Sequence, residues 1–62
     1  MIYDITTRIT LARAQVRMAR ELLETTPLSA TMVRGLAESE LEYNLDMIEQ
    51  LSIELELVRE SI

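Results

Sequence analysis

The sequence predicts an all-α protein, an antiparallel helical hairpin that dimerises into a four-helix bundle. Two long segments of the 62-residue chain carry apolar residues at helical spacing, and the single proline lies between them. The single glycine lies inside the second segment, so the sequence contains few residues that favour a further turn. A chain of this length forms one domain, residues 1–62.

The first predicted helix spans about residues 2–24. Its apolar residues recur at alternating intervals of three and four, the heptad spacing of a helix that packs along one face. This stripe consists of Ile2, Ile5, Ile9, Ala12, Val16, Ala19 and Leu23. A second row widens the apolar surface beyond the needs of a two-stranded coil, so we expect packing among several helices. The second row consists of Leu11, Ala14, Met18 and Leu22.

Residues 25–28 form the predicted turn. Pro27 disfavours helical conformation at Thr26 and suits the first turn of a following helix, for which the nearby Thr and Ser residues are candidate caps. A short connection between two amphipathic helices is typical of an antiparallel hairpin.

The second predicted helix spans about residues 28–61. Its heptad stripe consists of Ala37, Leu41, Asn44, Ile48, Leu51, Leu55, Val58 and Ile62. A break near Gly35 is the alternative, because residues 39–42, SELE, match a capping box. We favour one continuous helix, since an isolated glycine costs a helix only ~1 kcal/mol.

The unequal helix lengths predict an oligomer. With a turn centred near residue 26, position n of the first helix faces about position 52 − n of the second, which leaves residues 51–62 overhanging with an apolar stripe. The chain also has no Cys or His for a disulfide or a common zinc site. We therefore expect a homodimer or higher oligomer. Its predicted interface consists of Asn44, Ile48, Leu51, Leu55, Val58 and Ile62.

Asn44 admits two interpretations. It lies at the margin of the stripe, or it is a buried amide that pairs with its symmetry mate and fixes register.

The arginines are concentrated on one side of the first helix in an acidic chain of net charge −5. Arg13, Arg17 and Arg20 follow one another at i, i+4 and i+7. Most arginines have an acidic residue at helical spacing, as Arg34 has Glu38, whereas Arg13 depends on an acid of the other helix near position 39. We expect these pairs to align the helices, while the second helix keeps an acidic surface.

Several functional classes are excluded by composition. The chain has no Cys or His nucleophile or base and no Gly-rich phosphate loop, so we expect no catalytic residue, metal site or cofactor. No apolar run approaches the ~20 residues of a membrane span, and the N-terminus lacks the pattern of a signal peptide. We expect a cytoplasmic protein that is not an enzyme.

The remaining features favour a small protein–protein interaction module that acts as an adaptor, inhibitor or co-chaperone. Interfaces are enriched in Tyr and Arg, and a rigid helical face binds at low entropic cost. The candidate partner-binding residues are Arg13, Arg17, Arg20, Glu42, Tyr43, Asp46 and Glu49.

Two alternatives remain open. In shape, the predicted dimer is similar to the Rop type, a two-fold four-helix bundle of short hairpins. That resemblance implies RNA binding by a basic face that two copies of the first helix would form through Arg13, Arg17 and Arg20. The net charge of −5 argues against nucleic acid as a partner. A purely structural assembly component is the other alternative.

Overall fold

A computed structural model describes residues 2–61 of the chain. It contains two helices, α1 (Ile2–Thr25) and α2 (Thr31–Glu60), of 24 and 30 residues. They pack antiparallel along their length, and the hairpin extends 50 × 14 × 12 Å. The all-helical hairpin predicted from the heptad spacing is confirmed.

The connection between the helices is longer than the sequence predicts. α2 begins at Thr31 rather than near residue 28, because the N–H of Ala30 donates to the carbonyl of Pro27 at 3.0 Å and closes a turn. Pro27 therefore begins this turn instead of the second helix. Ala30 occupies the position before α2 without a side-chain cap, so the expected Thr or Ser cap is wrong.

The longer connection changes the pairing of the helices. Ile5 packs with Leu51, and Ala19 lies beside Ala37, so position n of α1 lies opposite about position 56 − n of α2. The expected relation of 52 − n is wrong by about one helical turn. In consequence Leu51 does not overhang: it is 3% exposed and packs against Ile5 and Ile9 of its own chain.

The buried residues form a single line between the helices, which we call the core stripe. It consists of Ile5, Ile9, Ala12, Val16 and Ala19 of α1 and of Ala37, Asn44 and Leu51 of α2. Alanine at several of these positions allows close approach of the two backbones. The core stripe is thin, and no side chain within residues 2–61 falls below 2% exposure.

α2 continues through Gly35 without interruption, which is the alternative that the sequence favours. A Cβ atom at Gly35 would meet no atom within 4 Å. The absence of a side chain there is therefore not required by packing within the hairpin.

Candidate interaction surfaces

The core stripe divides the surface of the hairpin into two sides. Successive residues of a helix are about 100° apart, so residues that flank the stripe on opposite sides cannot share a surface. One side carries Arg13, Arg17 and Arg20, and the other carries Leu11, Met18 and Leu22.

The arginines line a groove of about 570 Å³ between the helices, which we call the arginine groove. Its floor is apolar, because the buried Val16 meets the partly exposed Ile48 and Leu45 of α2 there. Its wall on α1 consists of Arg13, Arg17 and Arg20, with Glu21 and Glu24 toward the turn. The groove thus combines positive charge with an apolar base, and α2 contributes only Leu45 and Ile48 to its lining.

The expectation that Arg13 faces an acidic residue of the other helix near position 39 is wrong. Because of the changed pairing, Arg13 lies level with about residue 43, and its neighbours from α2 in the groove are Leu45 and Ile48. Within residues 2–61, Arg34 is the arginine whose guanidinium donates hydrogen bonds to the protein itself. The exposed Arg13, Arg17 and Arg20 are therefore held by α1 at the surface rather than by hydrogen bonds across the hairpin.

The predicted partner-binding residues are not all brought together. Tyr43 and Asp46 line a separate groove with Arg8, Met47 and Gln50, which shares no residue with the arginine groove. Glu42 and Glu49 are exposed on α2, outside the lining of either groove. The structure keeps the three arginines in one groove and places Tyr43 in another.

The other side of the hairpin exposes large apolar side chains, and we call this surface the apolar face. It consists of Leu11, Met18 and Leu22 of α1 with Leu36 and Tyr43 of α2. Leu11, Met18, Leu36 and Tyr43 are each between 62% and 66% exposed. Between the helices the face forms a groove of about 420 Å³. The second apolar row of the first helix was the sequence signal for this surface, but sequence reasoning did not assign it as an interface.

The predicted oligomer interface lies largely inside the hairpin. Asn44 and Leu51 are buried, and Ile48, Leu55 and Val58 are half-buried. Leu55 and Val58 pack against the cluster of Ile5, Ile9 and Leu51 in their own chain. Ile62 lies outside the described residues. The exposed stripe that motivated this interface is therefore mostly covered without a second chain.

Asn44 is the polar member of the core stripe and is 4% exposed. Its Nδ2 donates to the carbonyl oxygen of Glu40 at 2.8 Å and to the Oε2 of the same residue at 3.1 Å. The amide hydrogens are thus bonded within α2. Asn44 therefore lies inside the core stripe rather than at its margin, and its own helix supplies the acceptors for its amide hydrogens.

Residues 2–61 contain neither a cluster of candidate metal ligands nor a helix suited to a membrane. No group of three or more His, Cys, Asp or Glu side chains in this part of the chain is placed to hold a metal ion. Neither α1 nor α2, over the same residues, combines the length and apolar character needed to cross a membrane. Comparison of the chain with protein-family models, curated proteins and solved structures gives no match.

Proposed function

We propose that this chain is a small protein–protein interaction module. It acts as a homodimer of hairpins in a four-helix bundle and regulates another protein as an adaptor, inhibitor or co-chaperone. The observation that carries the proposal is the apolar face, which leaves five large apolar side chains exposed on one side of the hairpin.

The size and character of the apolar face support a second copy as its occupant. The whole side of the hairpin that carries the apolar face measures 50 × 14 Å, about 700 Å² before side chains are added, which is close to the ~800 Å² that each partner buries in a standard interface. Full burial of one Leu or Met side chain contributes roughly 1.5–3 kcal/mol. A core only one stripe wide gives a short chain little stability of its own, and a second apolar layer would supply the remainder.

The arginine groove remains outside such a dimer, because it lies on the other side of the core stripe. Arginine forms strong hydrogen bonds to carboxylates, and the apolar floor of Val16, Leu45 and Ile48 suits aliphatic side chains. We therefore propose that the groove binds an acidic, amphipathic segment of another protein. A dimer would present the groove twice.

The dimer is tested by light scattering on the wild-type chain and on two matched variants. We expect the wild type to have twice the 7.1 kDa mass of the chain at micromolar concentration. Leu36→Glu places a charge on the apolar face and should give a monomer or an unfolded chain. Ile53→Glu changes a residue of similar exposure, 56% against 66%, away from that face and should remain dimeric. A folded wild-type monomer would contradict the proposal.

The partner site is tested by affinity capture from the native host followed by mass spectrometry. We expect one dominant protein, and we expect Arg13→Ala/Arg17→Ala/Arg20→Ala to lose it while circular dichroism and mass stay unchanged. Capture that survives this triple change would place the partner elsewhere on the hairpin.

A further inference from the structure

The arginine groove has a second charged edge, which α2 supplies. Leu45 and Ile48 of α2 lie in the lining of the groove. Glu42 lies three residues before Leu45 and Glu49 lies four residues after it, and residues at these spacings share one side of a helix. Both glutamates are exposed, and we call this pair the acidic rim.

The arginines form the opposite edge, which we call the arginine rim. It consists of Arg13, Arg17 and Arg20, all exposed. Among residues 2–61, the charged side chains that form hydrogen bonds are those of Arg34 and Glu40, and neither belongs to a rim. A segment that enters the groove therefore meets positive charge on one edge, negative charge on the other and apolar side chains between them.

The shape of the groove favours a helix as its occupant. α1 and α2 are antiparallel, and a third helix packs into the furrow between two others at an axial distance of about 8–10 Å. The arginine rim repeats at intervals of four and three residues, so an acidic row with the same spacing on a neighbouring helix can match it. Residues 2–61 contain no strand, so this part of the chain has no sheet edge to which an extended segment could add.

We infer that the arginine groove receives an amphipathic helix of another protein whose charges are segregated, with an acidic row on one side of its apolar stripe and a basic row on the other. This inference rests on the proposed partner site and names the chemistry of its ligand. The acidic row lies along the arginine rim, and the basic row lies along the acidic rim. The apolar stripe lies on Val16, Leu45 and Ile48.

Charge complementarity on both edges carries the inference. A helix that is acidic on both sides would place like charges against Glu42 and Glu49, and a helix that is basic on both sides would place them against the arginine rim. A helix with segregated charges satisfies both rims at once. In helix bundles such flanking charges select the partner and its register more than they add affinity, so the groove discriminates among helices of similar hydrophobicity.

Two designed helical peptides of identical composition test the charge pattern. The segregated peptide has glutamates along one side of its apolar stripe and lysines along the other, whereas the mixed peptide alternates the two residues on both sides. Fluorescence anisotropy with a trace of labelled peptide measures their binding to the wild-type chain. We expect the segregated peptide to bind at least about tenfold more tightly, since the mixed peptide meets like charge on each rim. Equal affinities, or binding of neither peptide, would overturn the inference.

A pair of matched variants shows whether the acidic rim causes this preference. Glu42→Gln/Glu49→Gln should reduce the preference for the segregated peptide, because only the arginine rim then distinguishes the two peptides. Asp46→Asn/Glu60→Gln removes the same charge from exposed positions of α2 outside the lining of the arginine groove, and should keep the preference of the wild type. Circular dichroism and light scattering check that helicity and mass are unchanged. An unaltered preference in Glu42→Gln/Glu49→Gln would contradict the inference.

Capture from the native host separates this inference from the proposed function. If Arg13→Ala/Arg17→Ala/Arg20→Ala loses the captured protein while Glu42→Gln/Glu49→Gln keeps it, the proposed partner site is retained and the segregated pattern is wrong. If the arginine variant keeps the protein, the groove is not the partner site and both proposals are wrong. A wild-type mass above that of the dimer, lowered to the dimer by either variant, would show that further copies of this chain occupy the groove instead.

Discussion

The guanidinium of Arg34, in the first turns of α2, holds the end of α1. Its Nη1 donates to the carbonyl oxygen of Leu23 at 2.7 Å and to that of Thr26 at 2.9 Å. The last carbonyls of a helix lack partners within the helix, so these bonds satisfy two groups that would otherwise depend on water. The contact also joins the two helices at the turn, where the core stripe ends.

Removing this contact should destabilise the hairpin. We expect Arg34→Ala to lower the free energy of unfolding by ~1.5–3 kcal/mol, the range for hydrogen bonds to charged groups. Urea denaturation followed by circular dichroism measures the change. Arg59→Ala is the matched control, since Arg59 is an exposed arginine in the last turn of the same helix. Equal losses in the two variants would show that charge, rather than the bonds to α1, is responsible.

Gly35→Ala should stabilise the protein. Gly35 lies inside α2, and a Cβ atom there meets nothing within 4 Å, so the substitution gains helix propensity without a clash. We expect an increase of ~0.5–1 kcal/mol in the free energy of unfolding, measured by urea denaturation. A loss of stability would mean that another chain approaches the backbone at this position.

Asn44→Leu should also raise stability, and it should leave the mass of the proposed dimer unchanged. The amide hydrogens of Asn44 are bonded to Glu40 in the same helix, so an apolar side chain of similar size removes a buried polar group without leaving a partner in the other helix unsatisfied. We expect a gain of ~1 kcal/mol by urea denaturation. A mixture of oligomers by light scattering would instead support the other interpretation, in which Asn44 fixes register between chains.

Leu51→Ala should unfold the hairpin rather than only dissociate it. Leu51 is buried against Ile5 and Ile9, so its truncation leaves a cavity in the core stripe. Such changes cost 2–5 kcal/mol in general, and we expect about 2 kcal/mol here because the stripe is thin. Ile53→Ala, at an exposed position two residues away, is the control. If Leu51→Ala keeps its helicity at low concentration while the mass falls to that of a monomer, Leu51 serves the oligomer instead.

The RNA-binding alternative makes a different prediction for the arginines. A gel shift with a structured RNA at low salt should show no tight complex, because the acidic α2 opposes the approach of a polyanion. Tight binding that falls steeply with salt, and that disappears in Arg13→Ala/Arg17→Ala, would favour the Rop-like alternative over a protein partner.

The sequence was sufficient to predict the two helices, but not to predict which of their residues face each other across the hairpin. The stripe of Ile5, Ile9 and Val16 follows from heptad spacing, which depends on one helix at a time. Pro27 suits the first turn of a helix, which is how the sequence was interpreted, but its carbonyl accepts from the N–H of Ala30 and makes it the first residue of a turn centred on Leu28 and Ser29. The turn lengthens the connection by a few residues. This shift changes which residues of α1 and α2 face each other along the whole hairpin.

The candidate surfaces were likewise predicted correctly within one helix but not across the two helices. Arg13, Arg17 and Arg20 share a groove because their spacing on α1 alone brings them together. Their grouping with Tyr43, on the other helix, was wrong because it depends on the rotation of α2 about its axis. The role of Arg34 was missed for a similar reason: its nearest acidic neighbour in sequence is Glu38, whereas its bonds cross to α1.

In the proposed dimer, the thin core stripe makes the folding of this protein depend on its concentration. Since no side chain in residues 2–61 falls below 2% exposure, the hairpin has no interior that is independent of its surface. In a dimer built on the apolar face, folding and association become one equilibrium, and the midpoint of thermal unfolding rises with total concentration. Dilution alone then unfolds the module, and a host that changes its rate of synthesis changes the amount of folded dimer more steeply than the total amount of chain.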